Sequence, residues 1–128
     1  MNRLIVFTAA LFGMLAVIAG AFGAHILKGL INAQQLEIWQ KGVEYQFYHV
    51  FALLFLSTFA RPNSRGVKAS YYFFTFGIIF FSGSLYTLAC FDMLTGDWLY
   101  YMGPITPFGG LLLIIGWLML AIAALRNK

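Results

Sequence analysis

Charged residues are scarce in this chain, and their scarcity excludes most classes of soluble protein. Asp, Glu, Lys and Arg make up 9% of the 128 residues, whereas soluble domains contain about 25%. Hydrophobic residues make up 62%. Because so short a chain cannot bury that much apolar surface in a water-soluble core, we infer that the solvent around it is lipid.

The chain also lacks the residue patterns of a metal, redox or nucleophilic centre. Its one cysteine, Cys90, excludes an intramolecular disulfide and a thiolate pair. Its two histidines, His25 and His49, belong to no His-x-x-x-His or Glu-x-x-His motif. Ser82-Gly83-Ser84 resembles a nucleophile motif only superficially, because its predicted membrane helix contains no carboxylate. We expect no enzymatic activity, no metal and no other cofactor.

Basic residues are sorted by their position along the chain. If the amino terminus is cytoplasmic, Lys28 and Lys41 fall on the opposite side, and six others fall on the cytoplasmic side. These six are Arg3, Arg61, Arg65, Lys68, Arg126 and Lys128. Such an excess is typical of cytoplasmic segments, so we predict that both termini are cytoplasmic. Because the basic residues lie in connections rather than on one face, we expect no nucleic-acid partner.

Stretches without charged residues cover most of the sequence, at 4–24, 45–60, 71–91 and 103–125. A helix of about 20 apolar residues crosses the bilayer core. We therefore predict one all-α domain, 1–128, that forms a four-helix transmembrane bundle with spans near 4–24, 42–60, 71–91 and 104–125. The second span reaches the required length only if its polar leading end, Gly42–Gln46, is included.

A short amphipathic segment is predicted at the membrane interface before the second span, and we expect it to continue into that span. Asn32 is a suitable helix N-cap, and Leu36 and Trp39 give the polar stretch up to Lys41 an apolar side. Glu37 and Lys41 are spaced for an i,i+4 ion pair. We expect an aromatic belt on this side of the membrane, formed by Trp39, Trp98, Tyr100 and Tyr101.

Small residues recur at seven-residue intervals in three of the predicted spans. This spacing favours close helix packing in a left-handed bundle, and a glycine-lined substrate groove is the alternative. The glycines expected at helix interfaces are Gly13, Gly20, Gly77, Gly109 and Gly116.

Polar residues in or beside the spans fall at one level, in the half of the bundle away from the termini. Polar groups in lipid normally face the bundle interior and pair with one another. We therefore predict a single polar layer at that level. Its members are His25, Glu44, Gln46, His49, Ser82, Ser84, Tyr86 and Thr106.

A helical wheel divides the polar residues of the second span. Gln46 and His49 share an arc with Gly42 and should face the other helices. Glu44 lies nearly opposite, so it either pairs with Lys41 at headgroup level or faces a second subunit. The expected hydrogen-bond partners of His49 are Gln46, Ser82, Ser84, Tyr86 and Thr106.

The polar layer is open to two interpretations, a hydrogen-bond network that fixes packing or a site for a ligand or proton. The leading hypothesis is a small binding or accessory membrane protein, whose layer holds a lipid headgroup, a quinone-like molecule or a partner helix. The alternative is a subunit of a homo-oligomeric transporter or a proton- or ion-conducting channel. A continuous water path is disfavoured, because the other half of the spans offers little polar beyond Thr8 and Thr75.

Several motifs of the chain together resemble a known family. They are Gly20–His25, the pattern Trp-x-x-Gly-x-Glu-Tyr-Gln-x-x-His at Trp39–His49, Phe81–Tyr86, Pro104–Gly110 and Gly116–Trp117. In this order they resemble the YgdD-like small bacterial inner-membrane proteins, a family of unknown function related to the eukaryotic transmembrane protein 256. The resemblance covers essentially the whole chain. It implies four spans in the bacterial cytoplasmic (inner) membrane, and it implies no activity.

Overall fold

Long helices make up nearly all of the computed structural model, which describes residues 2–93, 96 and 100–126. Short 3-10 turns, Leu27–Gly29 and Phe91–Met93, follow the first and third helices. The described residues contain no strand, so the predicted all-α class is confirmed. The four helices are α1 (Arg3–His25), α2 (Ala33–Leu56), α3 (Arg65–Ala89) and α4 (Met102–Arg126).

Three helical segments are long and apolar enough to cross a membrane: Arg3–Gly29, Arg65–Ala89 and Met102–Arg126. The remaining helix, α2, is less apolar because its first half is polar. It begins at Ala33, directly after the predicted N-cap Asn32, and it ends at Leu56, before the predicted span limit of 60. The segment predicted to be interfacial is continuous with the rest of the helix, as expected.

The starts of the helices follow from local side-chain chemistry. The side chain of Asn2 accepts hydrogen bonds from the first-turn backbone of α1. Asn32 and Gln35 form a capping box, in which each side chain accepts the backbone N–H of the other, at 2.7 and 3.0 Å. Pro104 lies in the first turn of α4, where no backbone N–H is needed. Pro107 lies inside that helix rather than at its start.

Helices α1 and α2 lie antiparallel. At one end of the bundle, here called the N-terminal end, the backbone N–H of Asn2 donates to the carbonyl of Ser57 at 3.0 Å. At the opposite end, Gly23 of α1 packs against Trp39 of α2 so closely that a Cβ there would lie 2.7 Å from the indole. These two contacts pair the start of α1 with the end of α2 and the end of α1 with the first half of α2, so the two helices run in opposite directions.

The two α1 glycines expected at helix interfaces make looser contacts than Gly23. A Cβ on Gly13 would lie 3.5 Å from Val50, and a Cβ on Gly20 would lie 3.6 Å from Val43. These are ordinary van der Waals distances. The close approach of α1 to α2 therefore does not depend on Gly13 or Gly20.

Helices α3 and α4 approach most closely. A Cβ on Gly116 of α4 would lie 2.6 Å from the ring of Phe74, and one on Gly109 would collide with the backbone of Phe80 and Phe81. Small residues at these positions therefore allow two helix backbones to come into contact. The same interface also contains Gly66 and Gly77.

The helices pack in chain order, α1 on α2, α2 on α3 and α3 on α4. The apolar core lies mainly among α2, α3 and α4, with one edge of α1 against it. Its fully or almost fully buried members are Ile5, Ala9, Leu53, Leu56, Val67, Phe74 and Ile78. This arrangement brings the polar residues of α2 against three neighbouring helices.

Candidate functional site

Gln46 links three helices through its side-chain amide. Its Nε2 donates to the carbonyl of Phe12 in α1 at 2.7 Å. Its Oε1 accepts a hydrogen bond from the hydroxyl of Tyr86 in α3, also at 2.7 Å. Only 4% of Gln46 is exposed, so the amide is held inside the bundle as its helical-wheel position predicts.

The serines of α3 bond to the helices on either side. Ser82 donates to the carbonyl of Gly42 in α2 at 2.7 Å. Ser84 donates to the carbonyl of Phe81 in its own helix at 2.8 Å. Because the single proton of Ser84 is used there, Thr106 of α4 donates to the Ser84 hydroxyl at 2.6 Å.

His49 has different partners from those expected. Its Nδ1 lies 2.6 Å from the carbonyl of Tyr45, and its Nε2 accepts a hydrogen bond from the indole N–H of Trp117 at 3.0 Å. None of the five polar residues expected as its partners bonds to it. Trp117 was missed because its single polar atom lies on a large apolar side chain in an apolar stretch of α4.

The partners of His49 fix its tautomer. A carbonyl can only accept, so Nδ1 carries the proton, and an indole N–H can only donate, so Nε2 is unprotonated. His49 is therefore neutral in this arrangement. Phe74 packs against both rings, with centroid distances of 5.5 Å to His49 and 5.2 Å to Trp117.

Two members of the predicted layer lie outside it. His25 is exposed at the end of α1 and makes no hydrogen bond to the described residues. Glu44 is also exposed, and its carboxylate lies 3.7 Å from the ammonium of Lys41. This pair with Lys41 is one of the two arrangements expected for Glu44, and it forms in place of the pair expected between Glu37 and Lys41.

Interhelical polar contacts also occur at depths other than that of the predicted layer. Trp39 donates to the carbonyl of Ala19 near the end opposite the termini, at 2.8 Å. Towards the N-terminal end, Ser70 donates to the carbonyl of Gly116 at 3.0 Å. The polar contacts extend along the bundle because serine, tyrosine and tryptophan can bond to helix carbonyls as well as to one another. In the described part of the chain, every buried side-chain nitrogen and oxygen has a partner.

The expected aromatic belt is described only in part. Trp39 points towards α1, whereas Tyr100 and Tyr101 are exposed. Trp98 lies outside the described residues, as does Lys128 among the basic residues.

A groove of about 450 Å³ lies between α1 and α3, with α2 as its floor. Its walls include Phe12 and Phe22 of α1 and Ile78 of α3, and its floor includes Trp39 and Gln46. Phe12 and Phe22 are ten residues apart, so the groove is about 15 Å long at 1.5 Å per helical residue. It opens sideways, on the surface that three of the helices would present to lipid.

Aromatic rings line the end of the groove away from the termini. The ring centroids of Phe22 and Trp39 are 5.7 Å apart, and those of Trp39 and Tyr86 are 4.6 Å apart. Gly83 also borders the groove, and a Cβ added there would have no atom within 4 Å. The absent side chain of Gly83 therefore leaves part of the groove open.

The groove contains no charged residue. Its polar groups are the Gln46 amide, which has one N–H beyond the one given to Phe12, and the Tyr86 hydroxyl, which can still accept a hydrogen bond. Such a site can take an apolar molecule with one uncharged polar group. A charged group would be left without a partner of opposite sign at high cost.

Comparison with known proteins identifies relatives but no activity. The family model described as "Protein of unknown function (DUF423)" matches residues 19–110. A UPF0382 membrane protein of Staphylococcus epidermidis is 42% identical over 124 residues, which cover 97% of each chain. One from Staphylococcus aureus is 43% identical with the same coverage, and one from Staphylococcus saprophyticus is 40% identical over 97% of this chain and 98% of its own. No solved structure matches.

Proposed function

The chain belongs to the DUF423 family of small bacterial membrane proteins of unknown function. We propose that it binds an uncharged, lipid-like molecule in the groove between α1 and α3. The family assignment confirms the resemblance predicted from the motifs. We propose that the protein acts as a small binding or accessory protein of the membrane. The groove, apolar except for the Gln46–Tyr86 pair, is the observation that carries it.

The proposal includes α2 as a fourth span of a left-handed bundle. α2 is antiparallel to α1, and Gly42 of α2 lies beside Ser82 near the end of α3. α2 and α3 are therefore also antiparallel, and α1 and α3 run in the same direction. If both α1 and α3 span the membrane, the segment between them must cross the membrane in the opposite direction. The polar side chains Gln46 and His49 are compatible with lipid because their partners lie on the neighbouring helices.

The proposed orientation is supported by the distribution of the basic residues. Arg3, Arg61, Arg65, Lys68 and Arg126 belong to the N-terminal end of the bundle. We propose that this end is cytoplasmic and that the membrane is the bacterial cytoplasmic membrane.

Cysteine labelling tests this topology. In a Cys90→Ser background, a cysteine at Asn63 should be protected from a membrane-impermeant maleimide added to intact cells. A cysteine at Gly96 should be labelled. Labelling of position 63 but not of position 96 in intact cells would show that the orientation is the reverse of the proposed one. Labelling of both positions would show that α3 does not span the membrane.

The size and chemistry of the groove favour binding rather than catalysis. Its volume lies in the usual range for small-molecule sites, about 300–1,000 Å³. Both ring nitrogens of His49 are used by Tyr45 and Trp117, and the hydroxyls of Ser82 and Ser84 are used by carbonyls. No nucleophile–base pair is formed by these residues.

Gly83→Leu provides the test of binding. The leucine Cβ would displace no protein atom, because a Cβ at Gly83 has no neighbour within 4 Å, and the rest of the side chain would occupy space at the border of the groove. The probe is a long-chain alcohol carrying a photoreactive diazirine, added to purified protein in detergent. We expect saturable labelling of α1 and α3 residues in the groove, reduced at least about fivefold by Gly83→Leu.

Gly103→Leu is the matched control, because Gly103 is equally open but lies outside the groove. It should leave the labelling unchanged. The fatty acid of the same length, which is charged at neutral pH, should compete poorly with the alcohol probe. Uniform labelling of all apolar helix faces, or equal labelling of both leucine variants, would contradict the proposal.

A further inference from the structure

The N-terminal end of the bundle concentrates positive charge. Arg3, Arg65, Lys68 and Arg126 are exposed there, and Arg61 lies in the connection between α2 and α3. Among the residues that the structure describes, no Asp or Glu lies at this end. Glu37 and Glu44 lie in the first half of α2, and Asp92 and Asp97 lie in the connection between α3 and α4.

A small pocket of about 150 Å³ gathers three of these arginines. Arg61 and Arg65 border it at the start of α3, and Arg126 borders it at the end of α4. Gly66 and Ala123 lie beneath them, where a Cβ on Gly66 would lie 3.0 Å from the Cβ of Ala123. The close approach of the two helices places arginines from both at the border of one pocket, and guanidinium groups match phosphate oxygens in geometry and charge.

An apolar groove of about 580 Å³ lies on the same face of α3 and α4. Five residues of α3 that border the pocket or the groove are spaced three or four residues apart, so they lie on one side of the helix. They are Arg65, Ala69, Tyr72, Phe76 and Phe80. On α4, Phe108 and Arg126 are eighteen residues apart, which is five helical turns and the same side. The arginine pocket therefore lies at the end of an apolar groove that runs along the bundle.

We propose that this face of α3 and α4 binds one anionic phospholipid, with its phosphate in the arginine pocket and an acyl chain in the apolar groove. Basic pockets beside membrane-spanning helices hold anionic lipid headgroups in this way. This site shares no lining residue with the α1–α3 groove. Because the α1–α3 groove has no charged residue, it would not bind an anionic phospholipid headgroup. The proposal does not depend on the function proposed for that groove.

Lipid binding to the purified full-length protein tests the proposal. In neutral detergent, native mass spectrometry with added phosphatidylglycerol should show one retained lipid per chain. Phosphatidylcholine should be retained at least about tenfold less. Arg65→Gln combined with Arg126→Gln should weaken phosphatidylglycerol binding at least about tenfold, because two of the charges that face the phosphate are removed.

Arg3→Gln combined with Lys68→Gln is the matched control. It removes the same charge from the same end, but neither residue borders the pocket. This pair should bind phosphatidylglycerol within about threefold of the unchanged protein. Circular dichroism and thermal unfolding without lipid would establish that both double variants fold.

Three results would overturn the proposal. An equal loss of binding in both double variants would mean that only general surface charge is involved. Unchanged binding in the Arg65/Arg126 variant would place the lipid elsewhere. Competition by inorganic phosphate or glycerol phosphate at lipid-like concentrations would mean that the pocket takes a free phosphate and that the groove contributes nothing.

Discussion

Replacing Gly109 with alanine is expected to destabilise the folded protein by about 2–3 kcal/mol, as overpacking of a close interface does. The new Cβ would be directed at the backbone of Phe80 and Phe81 in α3. Backbone atoms cannot rotate out of the way as a side chain can, so α3 and α4 would have to separate. Separation would loosen the contact of Gly116 with Phe74 in the same interface.

Gly110→Ala is the control for this prediction. It makes the same chemical change in the next residue of α4, but its Cβ would lie 3.6 Å from the ring of Phe81, an ordinary contact. We expect Gly110→Ala to unfold within about 0.5 kcal/mol of the unchanged protein. Equilibrium unfolding in mixed micelles measures both. If the two alanine variants have the same stability, the α3–α4 interface is not packed as described.

The second large effect is expected at the His49–Trp117 hydrogen bond. His49→Phe should destabilise the protein by about 1–3 kcal/mol, because it leaves the indole N–H of Trp117 without an acceptor. Trp117 is partly exposed, at 46%, but a side chain exposed to hydrocarbon finds no water to replace the lost partner. Trp117→Phe should also destabilise, since it leaves Nε2 of His49 without its donor.

A double-mutant cycle isolates the hydrogen bond from changes in packing. The loss in the double variant should be smaller than the sum of the single losses by about 0.6 kcal/mol, the average for interhelical hydrogen bonds in membranes, and by at most about 1.7 kcal/mol. Nitrogen-15 spectra of histidine-labelled protein should show His49 protonated at Nδ1 and unprotonated at Nε2. Strict additivity, or the opposite tautomer, would refute the assigned bond.

The sequence predicts much of the fold because membrane helices are recognised from length and apolar composition alone. Helices α1, α3 and α4 are found in this way, close to their observed bounds. The start of α2 at Ala33 is predicted by its N-cap Asn32, although composition alone separates the polar first half from the apolar second half. The continuous helix is favoured by its capping box at Asn32 and by Trp39, which packs against α1.

The candidate site is predicted less well, for two physical reasons. Pairing polar residues with polar residues by depth ignores the helix carbonyls, which accept from Gln46 and Ser82, and the indole nitrogen, which bonds to His49. A groove also depends on the distance between helices, which no local pattern encodes. Gly83 was noticed only as the centre of a serine motif, yet its lack of a side chain helps to form the α1–α3 groove.

The polar side chains of α2 have a consequence for biosynthesis. Gln46 needs Tyr86 of α3, and His49 needs Trp117 of α4, yet the ribosome completes α2 before either partner exists. On first reaching the translocon, α2 can satisfy only the Gln46 bond to α1, and it is not among the helices apolar enough to count as candidate spans. If α2 forms the proposed fourth span, we therefore expect its integration to be delayed until α3 emerges, so that a later segment determines when an earlier one enters the bilayer.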